Sequence, residues 1–357
     1  MIHQTTVDYL CNLINIDTTI NSNNEIEGIL YIKEVFDKIG IENKVYEPVS
    51  GKGNIIATIN GKSNDAIILH SHIDTANYNA ENWLFPPQKA TLVNNCIVGR
   101  GTLDCKGLIA IWMDIMKYFY LNNCNGKELK NTLIFICSCD EEGDGKFGTE
   151  WFLNNILVSN NIKLVSNNIK LVFGEGGGYP IPLDKDIYFT IQTEEVYINE
   201  NSQIKNTSTN YTENKINEIF NKAIELGYYN QNTLNFYNNR HIQNKRKIAQ
   251  ECFYENIDII LENKEVDMIL DYNKKLFNII ENKLNNINKK YKLLPIITPG
   301  YSDNRFFKQR GIATIGFFPL DIKNNISGIH GNNEYISFKS LILSYNILLQ
   351  TLKTLLY

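Results

Sequence analysis

Three carboxylates stand in a row at Asp140, Glu141 and Glu142, just behind the apolar run TLIFI (132–136). That run reads as a strand buried on both faces. Like charges crowded at the end of a core strand are unfavourable unless something positive sits among them. Four more segments offer matching chemistry. LHSHIDT (69–75) sets His72 and Asp74 two apart, on one side of an extended segment, so one can bind a metal while the other supports it. GRGTLDCKG (99–107) surrounds Asp104 with glycines just ahead of a helical pattern. FGEGGGY (173–179) places Glu175 among glycines that let backbone approach closely, and GIHGNNE (328–334) carries His330. Imidazoles and carboxylates of this number suit a pair of zinc ions. Each piece alone is weak. The chain has only five histidines, however, and two of them share glycine-flanked or strand-end settings with these carboxylates.

The elements around these motifs alternate helix and strand. IEGILYIKEVFDKIG has helical spacing and a glycine stop, and GLIAIWMDIMKYFYLNN predicts a long helix after Asp104. AIILH (66–70), TLIFICS (132–138) and IKLVFG (169–174) predict buried strands. The fold class is therefore α/β, a sheet covered by helices on both faces, with the site at the strand ends. From about 197 the composition turns polar and then Lys/Asn/Glu-rich. The α/β pattern returns with GIATIGFF (311–318) and a final helix from about 338. The expected organisation is a catalytic domain in two parts, 1–196 and 267–357, interrupted by a smaller, mostly helical or reduced α+β lid at 197–266. LVSNNIK occurs twice in tandem, at 157–163 and 164–170, and reads as a duplication that lengthens one connection.

At 357 residues and net charge −4, the chain is large enough for a substantial core and is no general binder of nucleic acid or membrane surfaces. The N-terminus reads as an amphipathic helix, not a signal peptide, and no apolar stretch is long enough to span a bilayer. Seven scattered cysteines lack disulfide or CxxC spacing, and together these features predict a cytoplasmic protein.

The motifs, in this order, resemble those of the dinuclear-zinc metallopeptidases that include aminoacylase-1, acetylornithine deacetylase and succinyl-diaminopimelate desuccinylase. WLFPPQKATLVNNCIVGRGTLDCKG, GEGGGY and SDNRFF…IHGNNEYIS look most like the carboxypeptidase S branch. The resemblance implies that His72 and Glu175 hold one zinc, Glu142 and His330 the other, and that Asp104 bridges them. Cobalt or manganese would also be accepted. It further implies that Glu141 is the general base and that Asp74 supports His72 or the base. Arg305 either meets a substrate carboxylate or pairs with Asp303. His70 reads as a core or supporting histidine, and Arg100, Lys106 and Cys105 carry no catalytic assignment.

The implied activity is hydrolysis of the amide bond of N-acyl amino acids, or of the C-terminal bond of small peptides bearing a free carboxylate. One departure stands out. Family members carry a Gly-His-Ser-type turn in the lid, often acting across a homodimer interface. The insert here has only His241, in NNRHIQNKRK, which is either an oxyanion donor or, more plainly, a surface histidine. The competing expectation is a catalytically impaired, metal-binding relative that binds peptides or proteins.

Overall fold

The structure is a computed structural model describing residues 4–143, 145–157, 168–192, 264–296 and 302–357. Most of the inserted segment, with His241 and the NKRK run, lies outside the described residues, as do residues 158–167 of the tandem repeat. The chain divides into two compact units. One comprises Met1–Glu175, Ser302–Thr314 and Lys323–Tyr357; the other comprises Gly176–Tyr301 and Ile315–Ile322.

The first unit runs α1 (Gln4–Ile14), α2 (Glu25–Ile39), β1 (Glu42–Val49), β2 (Lys52–Ile59), β3 (Ser63–His72), β4 (Thr91–Val93), β5 (Cys96–Val98), α3 (Lys106–Cys124), β6 (Asn131–Ser138), α4 (Thr149–Phe152) and β7 (Ile169–Gly174). The second unit contributes β8 (Pro180–Leu183), β9 (Asp186–Gln192), α5 (Lys264–Ile287) and β10 (Tyr291–Ile296). Then follow α6 (Asn304–Lys308), β11 (Thr314–Gly316), β12 (Tyr335–Ser337) and α7 (Phe338–Leu356).

The first unit's main strands lie in the order β1-β2-β6-β3-β7. β3 is parallel to both neighbours, β6 and β7, so their carboxyl ends open on one edge. The apolar runs forecast these three strands because the sheet is covered on both sides. Ile68, Ile134 and Ile136 pack with Phe152 of α4 and Phe306 and Phe307 of α6. Phe135 points the other way, its ring edge-on to Phe36 of α2 at 5.5 Å. Burying one such side chain contributes about 1.5–3 kcal/mol.

The other edge is antiparallel, β1 to β2 and β2 to β6. β1 alternates half-buried and exposed residues, as an edge strand does. A separate three-stranded sheet, β12-β5-β4, pairs Tyr335–Ser337 with Cys96–Val98 and so lays the His330 segment beside the Asp104 segment.

Helix α2 ends where the sequence predicts, at Gly40 with φ 94°. In the second unit, β9 pairs with β8 antiparallel and with β10 parallel, and Gly316 pairs with Gln192. α5 buries Leu276, Ile280 and Leu284 at four-residue spacing, one helical stripe. GIATIGFF is strand only over Thr314–Gly316. Among the described residues no helix is long and apolar enough to cross a membrane.

Candidate metal centre

Strand register assembles the first part of the site. His72 is the last residue of β3 and lies opposite Ser138, the last of β6. The Asp140–Glu142 run therefore starts beside His72. Glu175 follows the last residue of β7, on the other flank of β3. Parallel strands thus bring three of the motifs to one edge. Asp104 arrives from the turn just before α3, and His330 from a turn ahead of β12.

The donor atoms fall into two groups that share Asp104. His72 Nε2 lies 3.0 Å from Asp104 Oδ1 and 3.1 Å from Glu175 Oε2. His330 Nε2 lies 3.1 Å from Asp104 Oδ2 and 3.0 Å from Glu142 Oε2. The two oxygens of one carboxylate thus face two different imidazoles. Within each group the donor atoms lie within 4.8 Å of one another. Glu141 Oε2 stands 3.9 Å from His72 Nε2 and completes the cluster.

The electrostatics follow from burial and crowding. Glu141 is held well above the usual carboxylate range by burial and then by the neighbouring Glu175. Burial pushes Glu175 up to about 7 against the opposing pull of His72. Burial also works against the charge on Asp104, yet hydrogen bonds from His330 and His72 hold its pKa below the ordinary value. Hydrogen bonds to Asp104 and Glu142 raise His330 to about 10. This is a strongly negative basin that favours cations.

The donor set fits a pair of divalent ions. Apart from the Cys105 sulfur it is nitrogen and carboxylate oxygen, the two oxygens of Asp104 face the two groups, and Glu142 Oε1 is buried without a protein partner. Cys105 Sγ lies in the His72 group as well, but burial pushes its thiol up to about 12. That sulfur accepts from the His72 N–H and donates to the His72 carbonyl, bracing the backbone behind the imidazole.

The supporting residues divide the remaining work. His72 Nδ1–H donates to the Asp74 carbonyl at 2.9 Å, which leaves Nε2 turned toward the carboxylates. The Asp74 carboxylate accepts from the Glu142 N–H at 2.8 Å, so Asp74 orients the acidic loop as well as the imidazole. Asp140, at φ 67°, accepts from Lys52 Nζ at 2.7 Å and from the Phe147 N–H at 3.1 Å, and thereby shapes the loop. His70 is buried, with Nε2 2.9 Å from Thr149 Oγ1 and 3.1 Å from Ser138 Oγ. Thr149 and Ser138 both donate to Asp303. Arg305 is half-buried, donates to the Ser302 carbonyl and lies 4.4 Å from the Phe306 ring. Lys106 Nζ donates to the carbonyls of Leu13 and Ile16, an anchor for the start of α3.

Sequence reasoning missed Glu334. Its Oε1 accepts from the Leu103 and Asp104 N–H groups at 2.6 and 3.1 Å, and its Oε2 from Gly101 N–H and Arg100 at 2.9 and 2.8 Å. The only signal was a carboxylate four residues after His330, which by itself does not stand out.

Residues 68–354 match the family described as Peptidase family M20/M25/M40, a span that takes in every motif above. The chain belongs to this family. Among curated relatives, a probable succinyl-diaminopimelate desuccinylase of Staphylococcus aureus is 32% identical over 102 residues, 28% of this chain and 25% of that protein. An acetylornithine deacetylase of Aliivibrio fischeri is 30% identical over 156 residues, 42% of this chain and 39% of that protein. The matches therefore span less than half the length of these relatives.

Among solved structures, the M20 family metallo-carboxypeptidase Sso-CP2 of Sulfolobus solfataricus superposes with TM-score 0.63 at 14% identity, covering 98% of each chain. Human carnosine dipeptidase 1 superposes with TM-score 0.62 at 11% identity, covering 98% of this chain and 96% of that one. These likenesses establish the fold, a mixed sheet flanked by helices.

Proposed function

We propose that this chain is a metal-dependent amidohydrolase. It would hydrolyse the amide bond of an N-acyl amino acid or the C-terminal bond of a small peptide. One observation carries the reading: Asp104 presents its two oxygens to two separate nitrogen–carboxylate groups beside a buried, proton-avid Glu141.

In this reading His72 and Glu175 would hold one zinc and Glu142 and His330 the other, with Asp104 serving both; cobalt or manganese would also be accepted. Bound cations of this kind polarise the scissile carbonyl and acidify a water. Glu141, with Oε2 3.9 Å from His72 Nε2, takes the proton from the attacking water and delivers it to the leaving amine. Asp74 keeps the His72 imidazole and the Glu142 backbone in place. Arg305 receives the substrate's free carboxylate.

The segment 197–266 would act as a reduced lid, with homodimerisation through it part of the same proposal. Membership of the carboxypeptidase S branch rests on the stretches 83–107, 174–179 and 302–337.

Replacing Glu141 with Gln is expected to retain both cations while lowering turnover by about 10²–10⁴. Metal content and hydrolysis of N-acyl amino acids and dipeptides, measured on the same preparation, check this. Unchanged turnover would remove Glu141 from its role. The insert lacks a Gly-His-Ser turn, which favours one second reading, an impaired relative that binds peptides. Chelator-sensitive hydrolysis by the wild-type protein would exclude it.

A further inference from the structure

The β12–β5 ladder brings the His330 segment beside the Asp104 segment but starts only at Tyr335, five residues after His330, so the turn itself is not strand-paired. His330 itself is at φ 55° and its side chain is 57% exposed. Yet its Nε2 comes within 3.1 Å of Asp104, a residue 226 positions earlier in the chain. A buried ion pair spans the gap. Arg100 and Glu334 meet at 2.8 Å with side chains only 2% and 0% exposed. Arg100 also donates to the Gly331 carbonyl at 2.7 Å, one residue beyond His330, and its other nitrogen reaches the Gly328 carbonyl at 3.4 Å. Glu334 comes from the same turn. It accepts from three backbone N–H groups of the opposing segment, those of Gly101, Leu103 and Asp104. Each segment therefore grips the backbone of the other, and the two grips close on one ion pair.

We propose that the Arg100–Glu334 pair is a positioning device that sets the spacing of His330 from Asp104, and so governs the cation held by His330 and Glu142. The proposal rests on the metal-dependent reading above and deepens it. The cation held by His72 and Glu175 depends on the pair much less. His72 and Glu175 are placed by β3 and β7, and Asp104 is held from that side by His72 at 3.0 Å. Arg100 is not interchangeable with lysine here. Its planar fork serves Glu334 and the Gly331 carbonyl together, whereas an ammonium is a single point donor with a different reach. Neither residue would touch substrate; both would act through His330 and Asp104.

The test is a zinc titration of the metal-free 357-residue chain, followed by calorimetry and competition with a chromophoric chelator. Wild type, Arg100→Lys, Glu334→Gln and His330→Ala are compared, with thermal unfolding recorded for each. Wild type should bind two zinc ions, and His330→Ala should retain one. Arg100→Lys should keep the site that His330→Ala retains within about twofold and weaken the other about 10–100-fold, the range for outer partners of metal ligands. Glu334→Gln should do the same if it folds; if it does not, Arg100→Lys decides alone. Two sites of wild-type affinity in the folded Arg100→Lys protein would overturn the proposal. So would equal weakening of both sites, since that marks a general loss of stability. A wild-type chain that binds fewer than two zinc ions would instead bring down the metal reading itself, and the proposal with it.

Discussion

The two halves of the centre are built by different means. His72 and Glu175 stand at the ends of β3 and β7, adjacent parallel strands, and the His72 side chain is fully buried. Their separation is set by the sheet. Glu142 and His330 sit on turns with left-handed residues nearby, Asp140 at φ 67° and His330 at φ 55°. Those turns are tied down by side chains: Lys52 to Asp140, Asp74 to the Glu142 backbone, and the Arg100–Glu334 pair. A strand end positions a ligand through hydrogen bonds the fold makes anyway. A turn needs dedicated polar groups, and burying them is costly unless every one is paired.

The largest test of this contrast is removal of each imidazole in chelator. His72→Ala leaves Asp104, Glu175 and Glu141 facing one another in a buried space without their shared partner. A loss of about 3–5 kcal/mol is expected. His330 is largely exposed, and His330→Ala should cost about 1 kcal/mol or less. Denaturant unfolding of both variants without metal checks the difference. Equal losses would mean that the turn-borne half is as integral to the fold as the strand-borne one.

A smaller effect probes the tether of the acidic loop. Lys52 bridges Asp140 and Glu25, and Glu25 is fully buried. Burial, and then the charge of Asp74, push Glu25 up to about 7. An unfolded-state glutamate titrates near 4.3, so between these values the folded chain binds the extra proton. The stability this gives is complete below about pH 4 and is lost as pH rises through 7. Glu25→Gln should therefore match wild type near pH 4 and exceed its stability at pH 8, by on the order of 2 kcal/mol. Unfolding curves at the two pH values decide. No gain at pH 8 would show that the tether stabilises the fold in its own right, contrary to the contrast drawn above.

The same division decides what the sequence made legible. Buried strands show as unbroken apolar runs, and glycines after them mark ends where backbone turns sharply. IKLVFG followed by Glu175, and TLIFICS followed by the acidic run, could therefore be placed at one sheet edge. The tethers were not readable. Glu334, Lys52 and Asn304 act on backbone or side chains far away in the chain, and a single polar residue carries no periodicity to announce that. The edge strand β1 was missed because ENKVYEPV has charge and proline where a core strand would be apolar, and β2, KGNIIATI, was missed although it is largely buried. The short sheet of β4, β5 and β12 was missed as well. Its strands have three residues each, too few for any alternation to register.

The smallest test asks whether the strand-borne half is self-sufficient. Cys105 and Asp74 brace His72, and Asn304 is the side chain that braces Glu175. Its amide donates to the Glu175 carbonyl at 3.0 Å, and its Oδ1 lies where a Cβ on residue 174 would come within 1.8 Å, so that position must be glycine. Asn304→Ala removes one hydrogen bond, worth about 1 kcal/mol. It also removes a buried oxygen that has no partner, which offsets part of the loss. A stability change below about 1 kcal/mol and unaltered zinc affinity at the His72–Glu175 site are expected. If affinity there fell as far as it is expected to fall at the other site in Arg100→Lys, Glu175 would depend on its tether no less than His330 does. The strand end would then supply only the approximate position, and side-chain tethers would set the final geometry in both halves.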